Sequence, residues 1–342
     1  ALVSFHTAYL KANFREEFLA ASMTLDMGNT DKLSMFAVEA RKSGIELKPP
    51  CINASEVDFL VEPPATSPSP RSRGEDRGEG QPLAQRQELA PHPNPLPVKN
   101  GERGQVHGAI RYSLAALKNI GAGAVEEIVK DRQKNGLYKS LGDFASRLDP
   151  KVLNKRGLET LAMAGAFDRL EANRALVHGN VDQIMALAQR QKANAEAGTS
   201  DLFGGGDSGP PKLDLRASKG WTPMERLQEE FDAVGFFLSG HPLDEYQSAL
   251  AKMGVMRFTA FEHATERGAT SARLGAIVIS ARERKSAKGN KFAFAMFSDP
   301  SGQFEAIIFS DTLATAGDLL EAGKAVLVGV EAERDGDTLK MR

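Results

Sequence analysis

The chain has 342 residues, a formal net charge of −2, 41% hydrophobic residues and 26% charged residues. These values are ordinary for a globular protein of two or three domains. The sequence has no apolar run of the roughly eighteen residues that a membrane span needs. Its one cysteine, Cys51, excludes an internal disulfide and a zinc finger, so we expect a cytoplasmic protein without a membrane partner.

Residues 1–62 are predicted to be mainly helical. Apolar residues recur at helical spacing as far as Gly44, and an extended segment ending in "VDFLVE" follows. The chain opens inside an amphipathic helix and closes on "DTLKMR", partway along a predicted strand. We therefore expect both termini to be cut from a longer protein.

Residues 63–108 are predicted to be a disordered insert. Nine of the seventeen prolines lie in 63–97, and no apolar periodicity survives there. The segment separates "VDFLVE" from "AIRYSL", two runs that would otherwise form a short hairpin. Such an insertion is tolerated because loop-closure entropy grows slowly with length. The alternative is that "PHPNPLP" is a ligand for a proline-binding partner.

Residues 109–172 return to helices and carry eleven lysines and arginines against seven acids in 109–170. The stretch "LKNIGAGAVEEIV" predicts a helix on each side of a Gly-x-Gly turn. Backbone N–H groups at such a turn can bind phosphate oxygens without reading bases. The predicted contacts of this first hairpin are Lys118, Gly121, Ala122, Gly123 and Lys130.

A second hairpin unit is predicted in the same region. Its helix "LNKRGLETLAM" ends at a turn containing Gly165, which Lys155 and Arg156 would flank. Two such units side by side could follow the backbone of a DNA duplex. The alternative is that the glycines only allow close helix packing.

A helix over 173–198 and a Gly/Pro/Ser-rich linker over 199–220 follow. The linker begins with "TSDLF", where Leu202 and Phe203 have no neighbouring core to join. Exposed apolar residues on a tether favour docking into a partner's pocket. The alternative is that this peptide folds back onto its own domain.

Residues 221–268 are predicted to form a helical connector. Thr222, Pro223 and Glu225 have the spacing of a capping box with proline at the first helical position. From about Ala272 the apolar period changes to two, and three strands, a helix and further strands follow within residues 269–342. This order is typical of an OB-type barrel. The predicted fold class is therefore α+β multidomain, with helices first and a barrel last.

The first hairpin of the predicted barrel is basic and is followed by aromatic residues. This combination suits single-stranded nucleic acid, whose bases stack on aromatic rings. The predicted contacts are Arg282, Arg284, Lys285, Lys291 and Phe292. Because Phe292 and Phe294 share one face of the strand and Phe297 lies on the other, one set must be core. Stacking by Phe292 stays open at this point.

No catalytic residue, metal site or bound cofactor is predicted. The six histidines lack metal-ligand spacing, and no nucleotide-binding loop or nucleophile motif occurs. The acidic residues lie mostly on predicted helix faces, which is the usual solvated pattern.

Several long segments resemble one family. They are "ALVSFHTAYLKANFREEFLAASMTLDMGNTDK", "SLAALKNIGAGAVEEIV", "LNKRGLETLAMAGAFDRL", "GFFLSGHPLDEY" and "FAFAMFSDPSGQFEAIIFSD". Together they resemble the C-terminal half of the alpha subunit of bacterial DNA polymerase III, the C-family of replicative polymerases.

The resemblance implies that 1–62 end the fingers domain and that 109–172 form a tandem helix-hairpin-helix module on duplex DNA. The barrel would contact single-stranded template. It further implies an internal sliding-clamp peptide over Thr199, Ser200, Asp201, Leu202 and Phe203. This peptide usually begins with glutamine, and the departure at Thr199 would weaken clamp binding.

For the parent protein the resemblance implies DNA-directed DNA synthesis with Mg²⁺. Its catalytic carboxylates would precede Ala1, so this chain alone would bind DNA, the clamp and other holoenzyme subunits without polymerising. Two alternatives are a non-catalytic DNA-binding scaffold and the error-prone accessory polymerase of the same family.

Overall fold

A computed structural model describes residues 2–63, 108–196, 213–286, 289–336 and 338–342. Its helices are α1 (Leu2–Asn13), α2 (Arg15–Leu25), α3 (Thr30–Lys42), α4 (Ala122–Asn135), α5 (Leu141–Arg147), α6 (Lys155–Met163), α7 (Arg174–Gly179), α8 (Val181–Glu196), α9 (Pro223–Val234), α10 (Gln247–Lys252), α11 (Phe258–Thr265) and α12 (Ser310–Ala316). Its strands are β1 (Glu46–Lys48), β2 (Leu60–Glu62), β3 (Ala109–Arg111), β4 (Ser271–Lys285), β5 (Lys291–Asp299), β6 (Gly302–Ile308), β7 (Ala325–Asp335) and β8 (Thr338–Met341). None of these described helices is long and apolar enough to cross a membrane.

A three-stranded sheet links the N-terminal helices to the rest of the helical part. β3 lies in the middle, parallel to β1 and antiparallel to β2. Glu62 of β2 is paired directly with Ala109 of β3, so the predicted strand pairing is confirmed. The connection between them, residues 64–107, lies outside the described residues.

One hydrophobic core extends from α2 to Leu238. Tyr138, Phe144 and Phe167 form an edge-to-face series inside it, with ring centroids 5.1 Å apart at each step. This geometry is the favourable arrangement for aromatic side chains. The core therefore fixes α4 to α6, the helices that carry both predicted hairpins.

Two helix predictions need correction. The residues before Gly121 form consecutive turns rather than a helix. The predicted helix over 173–198 is broken between α7 and α8 at Asn180. The buried side chain of Asn180 donates to the Arg216 carbonyl and accepts from the Arg216 amide. Because the asparagine amide bonds a distant backbone segment, it anchors Arg216 beside the break.

The capping box of α9 is confirmed. Thr222 Oγ1 accepts from the Glu225 amide at 3.3 Å, and Glu225 accepts from the Thr222 amide at 2.7 Å. Pro223 occupies the start of the helix as predicted. The helix ends at Gly235, which has a left-handed φ of 99°. Both ends of α9 are therefore encoded locally.

The C-terminal part is a five-stranded antiparallel sheet in the order β6-β5-β4-β7-β8. Its terminal strands, β6 and β8, come into contact, so the sheet curls into a half-barrel. A bulge between Val278 and Ser280 accentuates the bend of β4. Phe261 of α11 closes one side of the core together with Phe297 and Phe304.

Candidate nucleic-acid interface

The first hairpin presents the start of α4 to solvent. Gly121 is the N-cap, with φ −84° and ψ 147°, and no side chain caps the helix. Gly121, Ala122 and Gly123 are exposed, and a Cβ on either glycine would meet nothing within 4 Å. Because the first amides of a helix lack partners inside it, these groups can donate to an external anion.

The second unit places a similar helix start beside the first. Asn154 caps α6 by accepting from the Gly157 amide at 2.9 Å. The exposed Lys155 and Arg156 are the first two residues of that helix. Lys155 also pairs with Asp182 at 2.8 Å, which is a solvent-exposed contact.

Asn119 joins the two units. Its carbonyl oxygen lies 3.6 Å from the position of a Cβ on Gly157, so the loop before α4 packs on the first turn of α6. Its side-chain amide also reaches Thr160. We call the solvent-facing residues of the two adjacent helix starts, Gly121, Ala122, Gly123, Lys155 and Arg156, the hairpin surface.

Gly165 does not belong to this surface. It lies beyond the opposite end of α6 from Lys155 and Arg156, so the prediction that these residues flank it is wrong. Gly165 is buried, and its φ of 81° ends the helix. A Cβ there would lie 2.2 Å from the Arg174 guanidinium. Its role is therefore backbone geometry and close packing.

The two lysines predicted beside the first hairpin have different surroundings. The Lys118 ammonium lies over the Phe231 ring at 5.8 Å from its centroid, where burial lowers its pKa and Asp232 opposes that shift. Lys130 is exposed on α4 and pairs with Glu127 at 3.3 Å. Lys118 thus contacts the end of α9, whereas Lys130 remains a surface charge.

The five predicted contacts of the barrel are divided between two faces. In the antiparallel pair β4–β5, Arg284 is opposite Phe292 and Arg282 is opposite Phe294, so these four side chains share the outer face. Lys285 is opposite Lys291 on the other face.

The aromatic residues of β5 follow the same alternation. Phe297 is fully buried in the half-barrel, together with Ala293 and Ala295. Phe292 and Phe294 are half-buried on the outer face, with ring centroids 5.5 Å apart. Phe294 is thus a candidate stacking residue that the sequence prediction omitted, although its place two residues after Phe292 was the available signal.

The predicted clamp peptide, Thr199 to Phe203, lies outside the described residues. In the ranges that are described, no group of three or more His, Cys, Asp or Glu side chains is arranged to hold a metal ion.

Comparison with known proteins first relates part of the chain to a class of structural motif. A family model described as "Helix-hairpin-helix motif" matches residues 44–177, which include both hairpin units. The particular relatives are DNA polymerase III alpha subunits. The chain is 36% identical over 98% of its length to the one from Caulobacter vibrioides, and 32% over its whole length to one from Neisseria meningitidis. It is 31% identical over 98% of its length to the one from Escherichia coli K12.

The chain is therefore similar to DNA polymerase III alpha subunits over almost its whole length. It spans about a quarter of the length of these relatives, 26%, 26% and 25% respectively.

Proposed function

We propose that this chain is a DNA-binding portion of a replicative DNA polymerase and that its hairpin surface holds the backbone of duplex DNA. One observation carries this proposal: the starts of α4 and α6 lie side by side, with open glycines on one and two exposed cations on the other. The region also matches the helix-hairpin-helix family.

The chemistry of this surface suits binding that ignores sequence. Backbone amides and the positive end of the helix dipole attract phosphate oxygens but make no base contacts. A replicative enzyme must hold every sequence that it has copied. Contacts of this kind position DNA without selecting it.

We propose that the half-barrel is OB-type and contacts single-stranded DNA with its outer face. Arg282 and Arg284 would attract the backbone, and Phe292 and Phe294 would stack on bases. Across β4 and β5, Arg284 is opposite Phe292 and Arg282 is opposite Phe294, which supports a single continuous contact strip. Lys285 and Lys291 lie on the opposite face and are left out of this strip.

The remaining assignments are proposals that rest on the family resemblance. We assign residues 1–62 to the end of a fingers domain, 173–198 and 221–268 to helical connections, and 199–203 to a sliding-clamp contact. We assign nucleotidyl transfer and its Mg²⁺ ions to other parts of such a polymerase, and other holoenzyme subunits to its surroundings. The whole protein would act in the cytoplasm on chromosomal DNA.

The test measures duplex affinity at several salt concentrations. Replacing both Lys155 and Arg156 by alanine is expected to reduce the slope of log K against log salt by about two, because each phosphate contact contributes about 0.9. The matched control replaces two exposed cations in the same way, Lys134 in the last turn of α4 and Lys139 in the loop after it. Equal losses in both double variants would show diffuse charge attraction and contradict the proposed surface.

A further inference from the structure

Asn119 has an unusual backbone conformation. In the described ranges it is the one residue other than glycine with a positive φ, at 62°. Asparagine tolerates this left-handed region better than most residues, but such a conformation still needs support from its surroundings. Asn119 is also exposed, so burial of its own side chain does not provide that support.

The support comes from α6. The Asn119 Nδ2 donates to Thr160 Oγ1 at 3.4 Å, and the same hydroxyl donates its own proton to the Arg156 carbonyl at 2.9 Å. The two roles are compatible because a hydroxyl has one donor and two acceptor sites. Thr160 is buried, with only 4% of its surface exposed, so its hydroxyl has a fixed position.

The neighbouring contacts fix the loop from both sides. On the α6 side, the Asn119 carbonyl oxygen is 3.6 Å from the position of a Cβ on Gly157, which is ordinary van der Waals contact. On the other side, the Lys118 amide donates to the Ala233 carbonyl of α9 at 3.1 Å. Lys118 and Asn119, which precede the exposed glycines, are therefore attached to two different helices.

We propose that Asn119 and Thr160 are positioning residues that hold the start of α4 at a fixed distance from the start of α6, so that both engage one DNA backbone together. This inference rests on the proposed function. Two linked contacts gain from a high effective concentration only when their geometry allows simultaneous binding. A loosened link leaves each helix start to bind by itself.

The main test uses Thr160→Val, which keeps the shape of the side chain and removes the hydroxyl. We expect its Kd for a duplex to rise on the order of tenfold and its salt slope to fall by about one, as one phosphate contact is lost. Thr160→Ser retains the hydroxyl and is expected to restore both values. Thr265→Val removes a comparable helical hydroxyl from α11 and is expected to change neither.

Asn119→Gly provides a second variant for the same link. Glycine adopts the left-handed conformation freely, so the loop keeps its backbone while the amide contact is lost. Because Asn119 is exposed, this variant is expected to fold normally and to reproduce the lower salt slope of Thr160→Val. It carries the test if Thr160→Val fails to fold.

The outcomes separate the inference from the proposed function. If the Lys155 and Arg156 double variant binds weakly but Asn119→Gly and Thr160→Val retain the parental slope, the link has no positioning role and the function stands. If the double variant binds like the parent, the hairpin surface is wrong and the inference falls with it.

Discussion

His241 is a buried histidine whose hydrogen bonds require the neutral ring. Its Nδ1 accepts from the Leu243 amide at 3.1 Å, so the proton of the neutral ring lies on Nε2, which is 3.2 Å from Ser298 Oγ. Burial lowers the pKa of His241 to about 4; Asp244 works against this shift and Arg41 adds to it. A proton on Nδ1 would face the Leu243 N–H group.

This histidine makes folded stability depend on pH. Its pKa is depressed in the folded state relative to its ordinary value of 6.5, so the unfolded chain binds the additional proton. Stability from this group is complete above pH 6.5 and is lost as the pH falls toward about 4. We expect the loss to be about 3 kcal/mol in the free energy of unfolding.

Urea unfolding across this pH interval measures the effect. His241→Asn is expected to lose most of the pH dependence, because the asparagine oxygen can replace Nδ1 as an acceptor and does not titrate. The control is His263→Gln at an exposed histidine, which should keep the parental dependence. If the free energy of unfolding changed equally with pH in the parent and in His241→Asn, the pH dependence could not be assigned to His241.

A count of basic residues in the sequence does not predict which arginines are exposed to DNA and which are buried in the fold. The basic excess of 109–170 includes Arg111, Arg132 and Arg147, whose side chains are largely buried. Arg132 donates to the Ile52 and Ser55 carbonyls, and Arg147 lies 4.2 Å from the Tyr138 ring centroid. These arginines hold the fold together. Only tertiary structure distinguishes them from the exposed Lys155 and Arg156.

At the scale of elements, the sequence alone predicts a helix or strand correctly where the residues that form and end it lie close together in the chain. The capping box of α9 and the alternation of β4 and β5 are examples. The break at Asn180 and the turns before Gly121 depend on contacts with Arg216, Thr160 and Ala233. Such contacts join residues far apart in sequence, so helical periodicity could not reveal them.

Gly165 and Gly123 differ in their surroundings, so the same substitution is expected to change stability in opposite directions at the two positions. Gly165→Ala is expected to lower the free energy of unfolding by about 2–4 kcal/mol, since alanine is strained at a φ of 81° and its Cβ meets the Arg174 guanidinium. Gly123→Ala lies in an open helical turn and is expected to raise it by up to about 1 kcal/mol.

Thermal or urea unfolding of both single variants compares the same substitution at two places. A small effect at Gly165 would mean that Arg174 moves away without cost, and a large loss at Gly123 would mean that the start of α4 is packed. The first result would contradict the packing described for Gly165, and the second would contradict the open geometry of the hairpin surface.

At the scale of the whole molecule, the helical part and the half-barrel are joined through residues 236–244. The Arg41 Nη2 of α3 donates to the Phe237 carbonyl at 3.1 Å. Phe237 and Leu243 pack with Ile277 of β4 in a small separate cluster. His241 reaches Ser298 of β5. This segment, which lies within the family-like "GFFLSGHPLDEY", therefore contacts both parts of the chain.

The last prediction concerns the insertion between β2 and β3. Glu62 and Ala109 are direct partners in the sheet, and Glu62 also binds Lys48 and Arg111, at 2.7 Å each. Deleting 66–104 leaves seven residues between Glu62 and Ala109 in place of forty-six. If the deleted residues make no stabilising contacts, the shorter loop should raise the free energy of unfolding by about 1.5 kcal/mol, because closing it costs less entropy.

Calorimetry of the deletion variant and the parent should therefore give an equal or slightly higher melting temperature for the variant. A lower one would show that these residues contribute contacts to the fold, and the prediction of a passive insert would be wrong.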